Sequence, residues 1–229
     1  MFKNKISYLY LIGILLFSNN TFAAQVRLDV SGILDELVLG GFSSNEFSAS
    51  FLYETDTSLA SAMLMDAPND VSYVFNTAPY FGSAIVGNPL APTYDVNFQG
   101  VEVGVGNNIT VAMDDFPGVP AGLYDAFAAL SRSPGAVLDG DGVLSTGIEI
   151  GLLFFANTNF LSNVNSIPNQ PPSGTGVIGQ FFILDFTNDS VNRAAIGNIS
   201  SLTVTAVPLP AAVYFLFSGL IALFAVRKY

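Results

Sequence analysis

Residues 45–56 read "NEFSASFLYETD", and their alternation decides the fold class. Phe47, Ala49, Phe51 and Tyr53 fall on one side of an extended chain, with Ser48, Ser50 and Glu54 on the other. Successive side chains of a strand point to opposite faces, so this period of two predicts a strand with one apolar and one polar face. A helix would mix the two sets around its circumference.

The pattern recurs on both sides. "QVRLDVSG" (25–32), "VSYVF" (71–75), "YDVNF" (94–98), "VEVGV" (101–105), "NITVAM" (108–113), "IEIGLLFF" (148–155), "FFILDF" (181–186) and "ISSLTVT" (199–205) are further strand candidates. Clusters of turn formers such as "APND", "GNPLAP", "FPGVPAG" and "DGDG" separate them. Strand and turn alternating at about 8–12-residue spacing, with no long helical period, predict an all-β antiparallel β-sandwich over residues 24–205. "GLYDAFAAL" (122–130) fits one helical turn or a short strand, and "SIPNQPPSGTG" (166–176) reads as a long exposed loop.

Charge and missing residue types narrow the chemistry. Between Ala24 and Ala206 lie three basic residues (Arg27, Arg132 and Arg193) and all eighteen acidic ones, a formal charge of −15. Such a surface repels phosphate backbones, so nucleic acid is excluded as a partner. The chain has no Cys, His or Trp, and this stretch has no Lys. Thiolate nucleophiles, Ser–His–Asp machinery, ordinary zinc sites, Schiff bases and P-loops each lose a required residue. No cofactor is expected. Carboxylate chemistry, Tyr or Ser groups and calcium remain.

Within that remainder, "LDGDGV" (138–143) sets Asp139 and Asp141 two apart between glycines, a spacing found in calcium loops. An EF-hand is rejected, because Val143 would be its third ligand and Ile150 its closing Glu. A looser calcium loop competes with a plain surface turn. Asp114 and Asp115 are adjacent, so on a strand they would point apart rather than serve as an acid/base pair. The aromatics Phe47, Phe51, Tyr53, Tyr73, Phe75, Phe154, Phe155, Phe181 and Phe182 would form either a sugar-binding platform or, as alternation favours, the core.

The two ends speak about destination. Lys3 and Lys5, an uncharged apolar run from Ile6 to Phe17, and small residues before Ala24 have the layout of a secretory signal peptide over residues 1–23, with cleavage between Ala23 and Ala24. At the other end, residues 206–226 carry no charge, Pro208 and Pro210 suit a helix start, and Arg227 and Lys228 follow. A helix from Leu209 to Val226 would be about 27 Å long, close to the hydrocarbon thickness of a bilayer. The positive-inside rule then holds the last residues in the cytoplasm and the acidic domain outside.

"VPLPAA…SGL…RK", through Val207, Pro208, Leu209, Pro210, Gly219, Arg227 and Lys228, closely resembles the PEP-CTERM sorting signal of Gram-negative bacteria. Leu209 stands where the family name has Glu, and two cations precede a final Tyr229. A sortase tag would require Thr and Gly after "LP", and a GPI signal a polar spacer before its tail. "GGFSSNEFSASFLYETDT" and "AAIGNISSLTVTAVPLP" also resemble the acidic, Lys-poor β-domains that carry such tags. The resemblance implies an exosortase-type membrane transpeptidase as partner, and passage from the inner membrane to the cell surface or matrix. It supplies no catalytic residues.

The resulting expectation is a non-enzymatic exported envelope or matrix protein with its tag at residues 206–229. Two alternatives are a membrane-anchored module binding extracellular polysaccharide or calcium, and a carboxylate-based glycoside hydrolase. The hydrolase would need a cleft with two carboxyl groups ~5–9.5 Å apart.

Overall fold

Thirteen strands account for most of the described residues: β1 (Gln25–Leu39), β2 (Glu46–Glu54), β3 (Ala62–Ala67), β4 (Asp70–Phe75), β5 (Phe81–Asn88), β6 (Ala91–Gln99), β7 (Val101–Val111), β8 (Gly122–Arg132), β9 (Val137–Leu138), β10 (Leu144–Thr146), β11 (Ile148–Ala156), β12 (Ile178–Asp185) and β13 (Arg193–Val207). The structure, a computed structural model, describes residues 25–39, 44–88, 91–112, 116, 118–138, 144–187 and 193–207. Among these residues no helix is long and apolar enough to cross a membrane. The signal peptide and the membrane helix expected from the sequence lie outside the described residues.

The all-β antiparallel expectation is met, in the form of one continuous sheet. Its order is β3-β4-β7-β8-β11-β12-β13-β1-β2-β5-β6, with β9 and β10 as a separate hairpin. Curling brings its two wings face to face. Tyr53 on β2 and Phe127 on β8 are five places apart in the strand order, yet their ring centroids are 5.8 Å apart. Phe47 stacks on Phe181 at 4.4 Å. Both long strands of the central pair bend to make this possible. Register shifts between Ser31 and Gly32, Leu34 and Glu36, and Leu37 and Leu39 interrupt the β1–β13 ladder. Such irregularities add twist and curvature to a strand.

Alternation produces the core as expected. In β2 the side chains of Phe47, Ala49, Phe51 and Tyr53 are buried. Leu28, Val103, Val105, Phe127, Ile150, Leu152, Phe181 and Ile183 join them with no exposed surface. Each such large side chain contributes about 1.5–3 kcal/mol by leaving water. A smaller cluster lies around Phe155, Val111 and Val119, packed by Phe116 and Tyr124.

Two glycines let the wings meet. Strand β6 passes into β7 through Gly100, whose φ of +94° is hard for any residue with a Cβ. Its carbonyl accepts a bond from Ser131 Oγ at 2.6 Å. A Cβ on Gly82 of β5 would fall 2.4 Å from the Cβ of Ser131 on β8, so only Gly allows that approach.

Several expectations change. "GLYDAFAAL" is strand, opening β8 at Gly122. The candidate 101–105 and residues 108–111 of the next one form a single strand, β7, with a register shift between Gly106 and Ile109 and Asn108 at φ 55°. The proline-rich stretch is not simply an exposed loop. Val164, Ile167, Pro171 and Pro172 are buried, so the segment between β11 and β12 folds back over the core. Three long-range bonds hold it. Tyr73 Oη donates to Val164 O at 2.8 Å, Tyr53 Oη to Pro168 O at 3.3 Å, and Leu161 N–H donates to Asp125 Oδ2 at 2.7 Å.

Candidate functional site

The sheet's central pair sets the first site. Gln25, the first residue of β1, is the register partner of Val207, the last of β13. Gln25 also faces Glu54 across the β1–β2 ladder. The two ends of the domain therefore leave it side by side. Ala206 and Val207, assigned to the C-terminal segment from the sequence, belong to strand β13. Pro208 follows directly, and proline cannot donate to a continuing ladder. Of the residues expected from the sequence to form a sorting signal, only Val207 is described. Pro208, Leu209, Pro210, Gly219, Arg227 and Lys228 lie outside the described residues, as do Ala23 and Ala24.

A second candidate is a cleft of about 560 Å³ beside the ends of β4, β7 and β8, lined in part by Asn76, Gln99, Glu102, Arg132 and Ser133. Register explains its centre. Arg132 of β8 faces Glu149 of β11, while Glu102 of β7 faces Leu130, two residues before Arg132. One guanidinium thus reaches both neighbouring strands: Arg132 Nε donates to Glu149 and Arg132 Nη1 to Glu102. The guanidinium keeps 23% of its side-chain surface exposed, the carboxylates 12% and 9%.

Burial pushes the Glu149 carboxyl above the usual glutamate range, against the opposing pull of Arg132. For Arg132, burial alone would lower the pKa, but Glu102 and Glu149 together outweigh it and raise it. Chemically this is a carboxylate pair clamped on a shared cation. The guanidinium occupies the space between the carboxylates that a glycosidic bond and its attacking water would need. This trio was missed in the sequence, where its only signal was Arg132 as one of three basic residues in an acidic domain.

The sequence-derived candidates fare unevenly. Of the nine aromatics proposed as platform or core, Phe47, Phe51, Tyr53, Tyr73, Phe75, Phe154, Phe155 and Phe181 are buried. Phe182 is half-buried. The sugar platform thereby loses its stacking surface at those positions. Asp139 and Asp141, and also Asp114 and Asp115, lie outside the described residues. Leu138 and Leu144, which flank the first pair, are register partners in the β9–β10 hairpin. Among the described residues, no three carboxylates come together to hold a metal ion.

No protein family, no curated protein and no solved structure matches the chain.

Proposed function

We propose that the chain is an exported, non-enzymatic protein of the cell envelope or extracellular matrix. In this reading an N-terminal signal carries it across the inner membrane. Its C-terminal helix holds it there, and an exosortase-type transpeptidase processes it through the "VPLPAA" motif. The curled sheet then serves as a β-sandwich body, its two wings acting as layers, with an acidic surface that keeps copies apart.

One observation carries this reading: the pairing of Gln25 with Val207. Among the described residues, β1 runs from Gln25, close to the expected cleavage site, and β13 runs to Val207, next to Pro208 in the sequence. In this pairing the points at which the two expected targeting segments join the sheet lie side by side. A domain hung from a membrane by either segment would have the same side facing the bilayer.

The test is replacement of Pro208 and Pro210 by Ala in the native host, followed by mass spectrometry of the C-terminal peptide in envelope and medium fractions. The reading expects a shortened C-terminus in the wild type and the full-length C-terminus in the variant. An identical mature C-terminus in both would overturn it.

A further inference from the structure

The last strand is one-sided where it approaches the motif. β12 pairs with β13 only from Arg193 to Asn198, and from Ile199 onward β13 is held by β1 alone. No described backbone group bonds to its other side between Ile199 and Val207. At 3.4 Å per residue, the open edge is about 30 Å long.

Open edges are templates for another strand, and sheets usually guard them with charge, proline or bulges. The sheet's outer strands follow that rule: β6 carries the exposed Asp95, and β3 has a register shift between Met65 and Ala67. Residues 199–207 carry no charge and no proline, in a domain whose formal charge is −15. Thr203, Thr205 and Ala206 are exposed, whereas Leu202 and Val204 are half-buried against the core. Past the register shift at Ser200, residues 201–207 keep unbroken register with β1, present one hydroxyl-bearing face, and run without a spacer into Pro208.

We propose that the free edge of β13, residues 201–207, is the docking strand for the membrane peptidase that processes the tag. An extended segment beside the enzyme's substrate groove pairs with this edge and delivers residues 208–210 to the catalytic centre. Strand addition is a common mode of peptide capture, with main-chain bonds giving affinity. Neutrality matters here, because charged side chains along an edge discourage the addition of another strand. The proposal rests on the sorting reading above and adds that the folded domain takes part in recognition.

Inserting Gly-Ser-Gly-Ser between Val207 and Pro208 of the full chain separates edge from motif and leaves both intact. Conversion of precursor to the shortened form is followed by pulse-chase in the native host. Docking through the edge predicts conversion slowed roughly fivefold or more, through loss of effective concentration at the active site. Unchanged conversion means that the motif alone is read, and faster conversion means that the folded domain obstructs the enzyme; either overturns the proposal. The double variant Thr203→Lys with Thr205→Lys guards the edge from outside, and should slow conversion at unchanged Tm. If the detergent-solubilised full chain is instead a dimer that this variant dissociates, the edge belongs to a second copy and the proposal falls. A wild type that is never shortened sinks the sorting reading itself, a result distinct from all of these.

Discussion

The hydroxyl of Tyr73 donates to the carbonyl oxygen of Val164 at 2.8 Å, tying β4 to the strandless segment between β11 and β12. That bond, with those from Tyr53 and Leu161, explains why a proline-rich stretch lies over the core. Tyr73→Phe keeps the ring and removes only the donor. We expect a loss of about 1 kcal/mol in urea unfolding, since a buried carbonyl loses its partner. We also expect faster limited proteolysis between Asn157 and Val177. Unchanged cleavage in that span would show that the bond does not restrain it.

Asp125 holds the same region from the sheet side. It is fully buried on β8, where its Oδ1 accepts from Asn108 N at 3.0 Å and its Oδ2 from Leu161 N at 2.7 Å. Asp125→Ala leaves two amide donors without their acceptor and also loses charge-assisted bonds. Each such loss costs about 1–3 kcal/mol, so a drop of about 3 kcal/mol in denaturant unfolding is expected. A change below about 1 kcal/mol would mean that water replaces both bonds.

Arg132 and Glu149 should respond to substitution in opposite ways. Burial raises the folded-state pKa of Glu149 above its unfolded value. The folded protein therefore binds the proton more tightly, and this group's contribution is fully present below the unfolded pKa. It is lost as pH rises through the folded pKa. Glu149→Gln imitates the protonated form, so the variant should gain on the wild type as pH rises from the ordinary glutamate range towards neutrality. Arg132→Met leaves Glu102 and Glu149 half-desolvated without their shared cation, and should cost about 3 kcal/mol at neutral pH. Thermal unfolding of both variants across pH 4–7 checks the pair of signs.

How much of this was legible depended on distance along the chain. The alternation of Phe47, Ala49, Phe51 and Tyr53 is local, and it predicted both the strand and its buried face. β5 was not anticipated: Gly82 and Gly87 break the pattern of "FGSAIVGN", and Gly82 is there for Ser131 of a distant strand. The candidates 101–105 and 108–113 read as separate strands, but Asp125 satisfies the Asn108 amide and β7 continues through a kink. The clamp at Arg132 joins residues thirty and seventeen positions away, which only register brings together. The proposed sorting motif could be read because it is contiguous. The open edge beside it was not, because it depends on where β12 stops pairing.

The contact between Gly82 and Ser131 supplies a test of the curl itself. In the strand order these residues sit on β5 and β8, six places apart, so a flat sheet would keep them far from one another. In the folded chain an added methyl on Gly82 would overlap the Cβ of Ser131. Gly82→Ala should therefore destabilise by about 1–3 kcal/mol through overpacking. Ser131→Gly alone should also destabilise, because its hydroxyl bond to Gly100 O is lost. Combined, the two changes should cost less than their sum, since removing the Ser131 Cβ makes room for the new methyl. Coupling of about 1 kcal/mol or more in a double-mutant cycle is expected for side chains in contact, whereas sites more than about 7–10 Å apart add within about 0.5 kcal/mol. Additivity in that cycle would mean that the wings do not meet here, and the closed core built on Tyr53, Phe127 and Phe181 would have to be redrawn.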